Sequence, residues 1–137
     1  MQIRDVMTTD PVVCPSSCGL KEAAATMRDR DIGDVLVKDE EGKLCGIVTD
    51  RDLVVRGLAT DADLSSMTIG DVCAHELHTI QVDSSTDDAV KLMKARALRR
   101  IPVMEGDELV GIVSLGDLAE QLDADSALGT ISGAPPD

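Results

Sequence analysis

The chain repeats itself, and the repeat limits its architecture more than any other feature does. Gly46-Ile47-Val48-Thr49-Asp50-Arg51-Asp52-Leu53 recurs 65 residues later as Gly111-Ile112-Val113-Ser114-Leu115-Gly116-Asp117-Leu118. A glycine, an Ile-Val pair, a hydroxyl residue and an aspartate three positions beyond it stand in both copies. Upstream the likeness continues at a shift of 66, with Ile3-Arg4-Asp5-Val6 on Ile69-Gly70-Asp71-Val72, Ala23 on Ala89, Met27 on Met93, Arg30 on Arg96 and Val37 on Val103. The second copy drops one residue in the turn equivalent to Asp39–Lys43, where a deletion between strands costs least. Such a chain builds one supersecondary unit twice.

Each copy reads as β-α-β-β-α, an α/β (α+β) class. A short Asp-Val segment opens it, Ile3–Met7 or Ile69–Cys73, followed by an extended apolar piece, Pro11–Cys14 or Leu77–Val82. Pro11 and Pro15 make the first such piece an edge or irregular strand. A helix follows. Gly19 with Glu22, and Ser85 with Asp88, mark its start, while Ala89, Met93 and Ala97 share one face. Two strands come next, Val35–Val37 with Leu44–Val48, and Ile101–Met104 with Leu109–Val113, around charged turns that contain glycine. A closing helix is capped by Thr49 or Ser114 and runs to about Arg56 or Leu122.

The first repeat is expected over 1–60, the second over 61–124, and a disordered tail over 125–137, where small residues and Pro135-Pro136 prevail. One copy is near the size at which a lone core is marginal, so the halves are expected to share a core.

Phe, Tyr and Trp are absent, so the core is aliphatic and no aromatic shelf is present for stacking a nucleic-acid base. A net charge of −13 repels nucleic acid and anionic lipid. The N-terminus lacks the apolar run of a signal peptide, and no stretch approaches the ~18 apolar residues of a membrane span. Cytoplasm is the expected compartment. There Cys14, Cys18, Cys45 and Cys73 serve mainly as small apolar residues, with Cys14 and Cys18 a candidate redox pair. Cys73, His75 and His78 are a candidate soft-metal set, but side chains at that spacing on an extended segment do not converge, and an incidental role is the better reading. Phosphate-loop, nucleophile-elbow and zinc-protease motifs are missing, which points away from an enzyme.

The residues that carry a family likeness are Asp5-Val6-Met7, the Ala-rich helix through Met27, Ile32-Gly33 and Gly46–Leu53 in copy one. In copy two they are Asp71-Val72, Ala89–Met93, Arg99-Arg100-Ile101-Pro102-Val103 and Gly111–Leu118. In this doubled order the chain resembles a tandem pair of CBS domains, the module named for cystathionine β-synthase, and in particular the small bacterial proteins made of little beyond one pair. The likeness spans roughly residues 2–124.

It implies two repeats packed sheet to sheet about a pseudo-twofold axis, and a homodimer of pairs shaped as a flat disc, whose helices approach closely at small residues such as Ala23, Ala24 and Ala25. It also implies a regulatory ligand, AMP, ADP, ATP or S-adenosylmethionine, held between the repeats with no cofactor required. The hydroxyl of each junction would contact phosphate or ribose and the aspartate the ribose hydroxyls, which gives Thr49 with Asp52, and Ser114 with Asp117. Ile101-Pro102 would lie against the base.

The residues themselves are compatible with that use. A helix-capping hydroxyl sits beside free backbone N–H groups that suit an anion, and a carboxylate one turn on accepts sugar hydroxyls. The same residues also serve as plain caps. Lys91, Lys94, Arg96, Arg99 and Arg100 are five of the 13 basic residues and lie within ten positions free of acids. Copy one instead sets Asp34-Val35-Leu36 where copy two has Arg100-Ile101-Pro102, although Arg51 partly offsets that acid. The expected ligand set is therefore Thr49, Arg51, Asp52, Arg99, Arg100, Ile101, Pro102, Ser114 and Asp117, with the Ser114 junction preferred for phosphate. The expected role is a non-enzymatic sensor that signals to a protein partner by changing conformation. The alternatives are a ligand-free dimeric interaction scaffold and a thiol or metal sensor.

Overall fold

The structure, a computed structural model, describes residues 1–73 and 77–122. The tail expected over 125–137 lies outside the described residues. The strands are β1 (Thr8–Thr9), β2 (Val13–Pro15), β3 (Asp34–Lys38), β4 (Leu44–Thr49), β5 (Ile80–Gln81), β6 (Arg100–Glu105) and β7 (Glu108–Ser114). The helices are α1 (Leu20–Arg30), α2 (Asp50–Asp52), α3 (Ile69–Val72), α4 (Thr86–Arg96) and α5 (Leu115–Leu122). The fold is mixed α+β with two sheets, ordered β2-β3-β4 and β1-β7-β6-β5.

The sheet orders show that spatial units and sequence repeats do not coincide. Among the described residues, one unit comprises 12–73 with Leu77 and the other 1–11 with 78–122. Each repeat's opening segment thus belongs to the other repeat's core. Ile3 is fully buried with Ile80, Val82, Ala89, Met93, Ile101 and Val113. Ile69, Val72 and Cys73 are buried with Cys14, Leu20, Ala23, Met27, Val35 and Val48.

The attachment is the same in both units. Ile3 N–H donates to Ser84 O at 2.8 Å and Arg4 N–H to Val82 O at 3.1 Å; Ile69 N–H donates to Cys18 O at 2.8 Å and Gly70 N–H to Ser16 O at 3.0 Å. Burying an isoleucine completely contributes about 1.5–3 kcal/mol, so these segments are anchors rather than loose ends. Among the described residues each unit has its own core cluster, and each cluster is completed by the opening segment of the other repeat.

Local chemistry sets most boundaries. Ser85 accepts from Asp88 N–H at 3.1 Å and starts α4, while Gly19 precedes α1 without a side-chain cap. Both helices stop at equivalent left-handed residues, Asp31 (φ 54°) and Ala97 (φ 56°). Ile32 N–H and Leu98 N–H then reach back to Met27 O and Met93 O, both at 3.0 Å, and close the last turn. Alanine is a poor residue for that conformation because its Cβ crowds the next carbonyl.

Pro102 shortens β5. In copy one Leu36 N–H donates to Val12 O at 2.9 Å, and Val13 pairs with Leu36. Proline has no N–H to give, and the equivalent ladder begins one residue later, at Ile80 opposite Val103.

The closing segments differ. In copy two α5 is a regular helix, whereas in copy one α2 passes at once into a π-helix over Leu53–Leu58. Its wider winding is closed by Ala59 N–H donating to Val54 O at 2.8 Å. Gly57 is buried there, and a Cβ on it would stand 2.8 Å from Leu20 Cδ1. The expected single helix to Arg56 is therefore corrected to one α turn followed by π-winding, and Gly57 lets this winding pack closely on Leu20.

The glycine of the repeated stretch also has a packing role. A Cβ on Gly111 would meet Thr8 O at 2.7 Å and Met7 Sδ at 2.8 Å, because β1 lies directly against β7 there. Gly111→Ala is expected to displace β1 and lower stability by about 1–3 kcal/mol in urea titrations. Ala97→Gly is expected to raise stability in the same titrations, by about 0.5–1 kcal/mol, by relieving the left-handed alanine.

Candidate functional site

Each unit carries one strand-to-helix junction, built in the same way. In the first, Thr49 Oγ1 accepts from Asp52 N–H at 3.1 Å, and Asp52 Oδ2 accepts from Thr49 N–H at 2.9 Å. In the second, Ser114 Oγ accepts from Asp117 N–H at 3.0 Å, and Asp117 Oδ2 accepts from Ser114 N–H at 3.0 Å. Both are reciprocal capping boxes with aspartate in place of the usual glutamate. All four side chains are half-buried. A further hydrogen bond ties each helix start to the residue before the facing strand: Asp50 N–H to Gly33 O at 2.9 Å, and Leu115 N–H to Arg99 O at 2.7 Å.

The capping role is thus realised, and it limits what else these residues can do. Each aspartate commits one carboxylate oxygen to its own cap and keeps the other, Oδ1, for a second partner. The two differ in that second oxygen. Asp52 Oδ1 lies 3.9 Å from Arg56 Nε, one helical turn on. The position equivalent to Arg56 is Gln121, and no ion pair engages Asp117 among the described residues. Arg56 was missed on the sequence, although its spacing of four from Asp52 was the available signal.

Strand register decides the charge beside each hydroxyl. Asp34 is the Cα partner of Thr49, and Arg100 is the Cα partner of Ser114. Directly paired residues project on the same sheet face, so copy one sets a carboxylate beside its hydroxyl and copy two a guanidinium. Arg51 and Arg99 are exposed.

The second unit brings together six of the expected residues: Arg99, Arg100, Ile101, Pro102, Ser114 and Asp117. Thr49, Arg51 and Asp52 form the smaller set of the first unit. Ile101 and Pro102 are buried, Ile101 within the core cluster and Pro102 on the opposite side of β6. Pro102 therefore offers no exposed surface as it stands.

The cysteines occupy the first unit's core as free thiols. The Cys18 thiol donates to Gly19 O at 3.6 Å, and burial raises the thiol pKa values of Cys14 and Cys18, that of Cys18 to about 12. Neither is a ready thiolate at neutral pH. Burial likewise raises the pKa of Cys73, whose thiol points at Gly70 O at 3.8 Å. His75 lies outside the described residues. Among the described residues no group of three potential ligands could hold a metal ion, and no helix is long and apolar enough to cross a membrane.

The model of the CBS domain matches residues 3–59 and again 69–124. The chain belongs to the CBS domain family. It is similar to the YlbB protein of Bacillus subtilis (strain 168), at 43% identity over 96% of this chain and 91% of that one. It is also similar to Hypoxic response protein 1 of Mycobacterium tuberculosis, at 32% identity over 87% of this chain and 83% of that one. The crystal structure of Hypoxic Response Protein I, which carries two coordinated zinc ions, superposes with a TM-score of 0.79 at 30% identity, over 88% of this chain and 98% of that one. The CBS domain pair of protein MJ0100, solved with 5'-methylthioadenosine and S-adenosyl-L-methionine, superposes with a TM-score of 0.79 at 25% identity, over 89% of this chain and 99% of that one. The tandem CBS pair implied by the resemblance is therefore established.

Because the junction hydroxyls act as caps, Thr49→Ala and Ser114→Ala are each expected to lower stability by about 1 kcal/mol in ligand-free protein, measured as a shift in the urea midpoint.

Proposed function

We propose that this CBS pair is a non-enzymatic regulatory module that binds an adenosyl ligand, AMP, ADP, ATP or S-adenosylmethionine. It binds at the Ser114–Asp117 junction first, and acts as a homodimer whose conformation a protein partner reads. The observation that carries the reading is the arrangement at that junction. Asp117 keeps Oδ1 for ribose hydroxyls, and Arg100 stands opposite Ser114 in the ladder, where a phosphate or carboxylate needs a cation. The adenosyl ligands of the MJ0100 pair support the same class of ligand. The Thr49–Asp52 junction is the weaker site because Asp34 stands beside its hydroxyl and Arg56 lies near Asp52 Oδ1. Ligand binding would act by favouring one arrangement of the chain over another, to the extent that it binds the two differently.

A ligand-free dimeric scaffold is the second reading, and the exposed Val54, Val55 and Leu58 favour it. A zinc or thiol sensor has less support. The zinc ions belong to Hypoxic Response Protein I, and the Cys73 thiol here is buried and hard to ionise.

Calorimetry with AMP, ADP, ATP and S-adenosylmethionine separates these readings. At least one ligand is expected to bind. Asp117→Ala is expected to weaken it about 10- to 100-fold, the effect of losing a charged acceptor, and Asp52→Ala to weaken it less. No heat and no melting shift with any of the four would overturn the adenosyl reading in favour of the scaffold.

A further inference from the structure

All four cysteines of the chain lie in the first unit. Cys14, Cys18 and Cys73 are buried in one core cluster, and Cys45 packs against it. Cys14 and Cys18 flank one turn. Cys14 is the inward-facing residue of β2, paired with Val37, and Cys18 N–H closes the turn onto Pro15 O at 2.9 Å. The chain reverses between them and directs both side chains into the same core. A disulfide needs such an arrangement, since its Cα atoms stand only about 4.4–6.8 Å apart. The two thiols also act on each other. Burial raises the pKa of Cys18 most, and charge on Cys14 raises it further. Burial raises the pKa of Cys14 as well, but the neighbouring Cys18 thiol lowers it, so Cys14 is the first of the two to ionise.

The turn between these cysteines is the dock for the opening segment of repeat two. Cys18 O accepts from Ile69 N–H at 2.8 Å and Ser16 O from Gly70 N–H at 3.0 Å, and Gly19 bridges to Thr68. A Cβ on Gly70 would stand 3.0 Å from Ser16 O, so the segment lies flush against the turn. The second unit builds the same dock without thiols. Ile80 and Ser84 stand at the positions of Cys14 and Cys18, and Ser84 N–H closes the equivalent turn onto Gln81 O at 3.0 Å. Ser84 O and Val82 O then receive Ile3 N–H and Arg4 N–H.

We propose that a hydroperoxide oxidises Cys14 and Cys18 to a disulfide, and that this bond locks the turn holding Ile69 and Gly70 while the dock of Ile3 and Arg4 stays as it is. The Cys14 thiolate attacks one peroxide oxygen and the O–O bond breaks. The departing hydroxide leaves as water with the proton that Cys14 gave up, and Cys14 becomes a sulfenic acid. Cys18 Sγ then attacks Cys14 Sγ, the S–O bond breaks, and a second water carries away the hydroxyl and the Cys18 proton. Two thiols are oxidised and one peroxide is reduced to two waters. Burial makes the first step slow, so the pair records sustained oxidation rather than sensing it quickly. The lock needs no adenosyl ligand and stands apart from that reading.

Amide hydrogen exchange of the full chain, before and after treatment with hydrogen peroxide, is the test, with disulfides mapped by mass spectrometry. Oxidation is expected to link Cys14 to Cys18, and to do so equally in a Cys45→Ser/Cys73→Ser double variant. Exchange at Ile69 and Gly70 is expected to slow at least about tenfold on oxidation, while Ile3 and Arg4 keep their rates. Cys18→Ser installs the residue that the second unit carries there, and peroxide is expected to leave exchange at all four amides of that variant unchanged. Retention of both thiols, a bond between any other pair of cysteines, or overoxidation without a disulfide would overturn the proposed bond. A Cys14–Cys18 disulfide that leaves exchange at Ile69 and Gly70 unaltered, or slows both docks equally, would overturn the lock.

Discussion

The burial of Ile3 and Ile69, each inside the core of the other repeat, is the constraint on which the rest of the structure depends. Both are 0% exposed, and both segments are held by the same two backbone hydrogen bonds. A single copy is near the size at which burial barely offsets conformational entropy. Exchanging an anchor removes the choice of folding one copy alone, since each core lacks an isoleucine until the other half of the chain is present. The exchange also brings β1 against β7, and this contact, rather than any ligand, accounts for Gly111.

The strand-to-helix junction shows how a structural device and a candidate binding site share atoms. The capping box uses one oxygen of Asp52 or Asp117 and the only hydroxyl oxygen of Thr49 or Ser114. What remains for a ligand is the second carboxylate oxygen and the neighbouring charge. Those remainders differ between copies: Arg56 lies near the oxygen of Asp52, Asp34 stands beside Thr49, and Arg100 stands beside Ser114. Duplication thus yields two similar junctions, and a few side chains make their surroundings unequal.

The same divergence appears on the outside of the closing segments. α5 is a regular helix that carries Glu120 and Gln121, whereas the π-helix carries Val54, Val55 and Leu58 into water. Gly57 is buried in that winding and brings its backbone close to Leu20.

Much of this was legible in the residues. The duplication, the order of elements and the caps at Ser85, Thr49 and Ser114 follow from period and local chemistry, which act over a few residues and leave a direct trace. The charge contrast between Asp34 and Arg100 was also visible, and the ladder register then gave it a place. The shortened β5 and the π-winding were not, because they depend on which backbone groups meet Pro102 and Gly57 in space. Least legible was the exchange of opening segments. Ile3 and Ile69 are equivalent residues, and the slots that receive them are lined by equivalent residues, so the pattern is identical whether each fills its own repeat or the other. The repeat pattern specifies two such anchors and two such slots. Their pairing is set in three dimensions, because it depends on how the chain must run to bring each anchor to a slot.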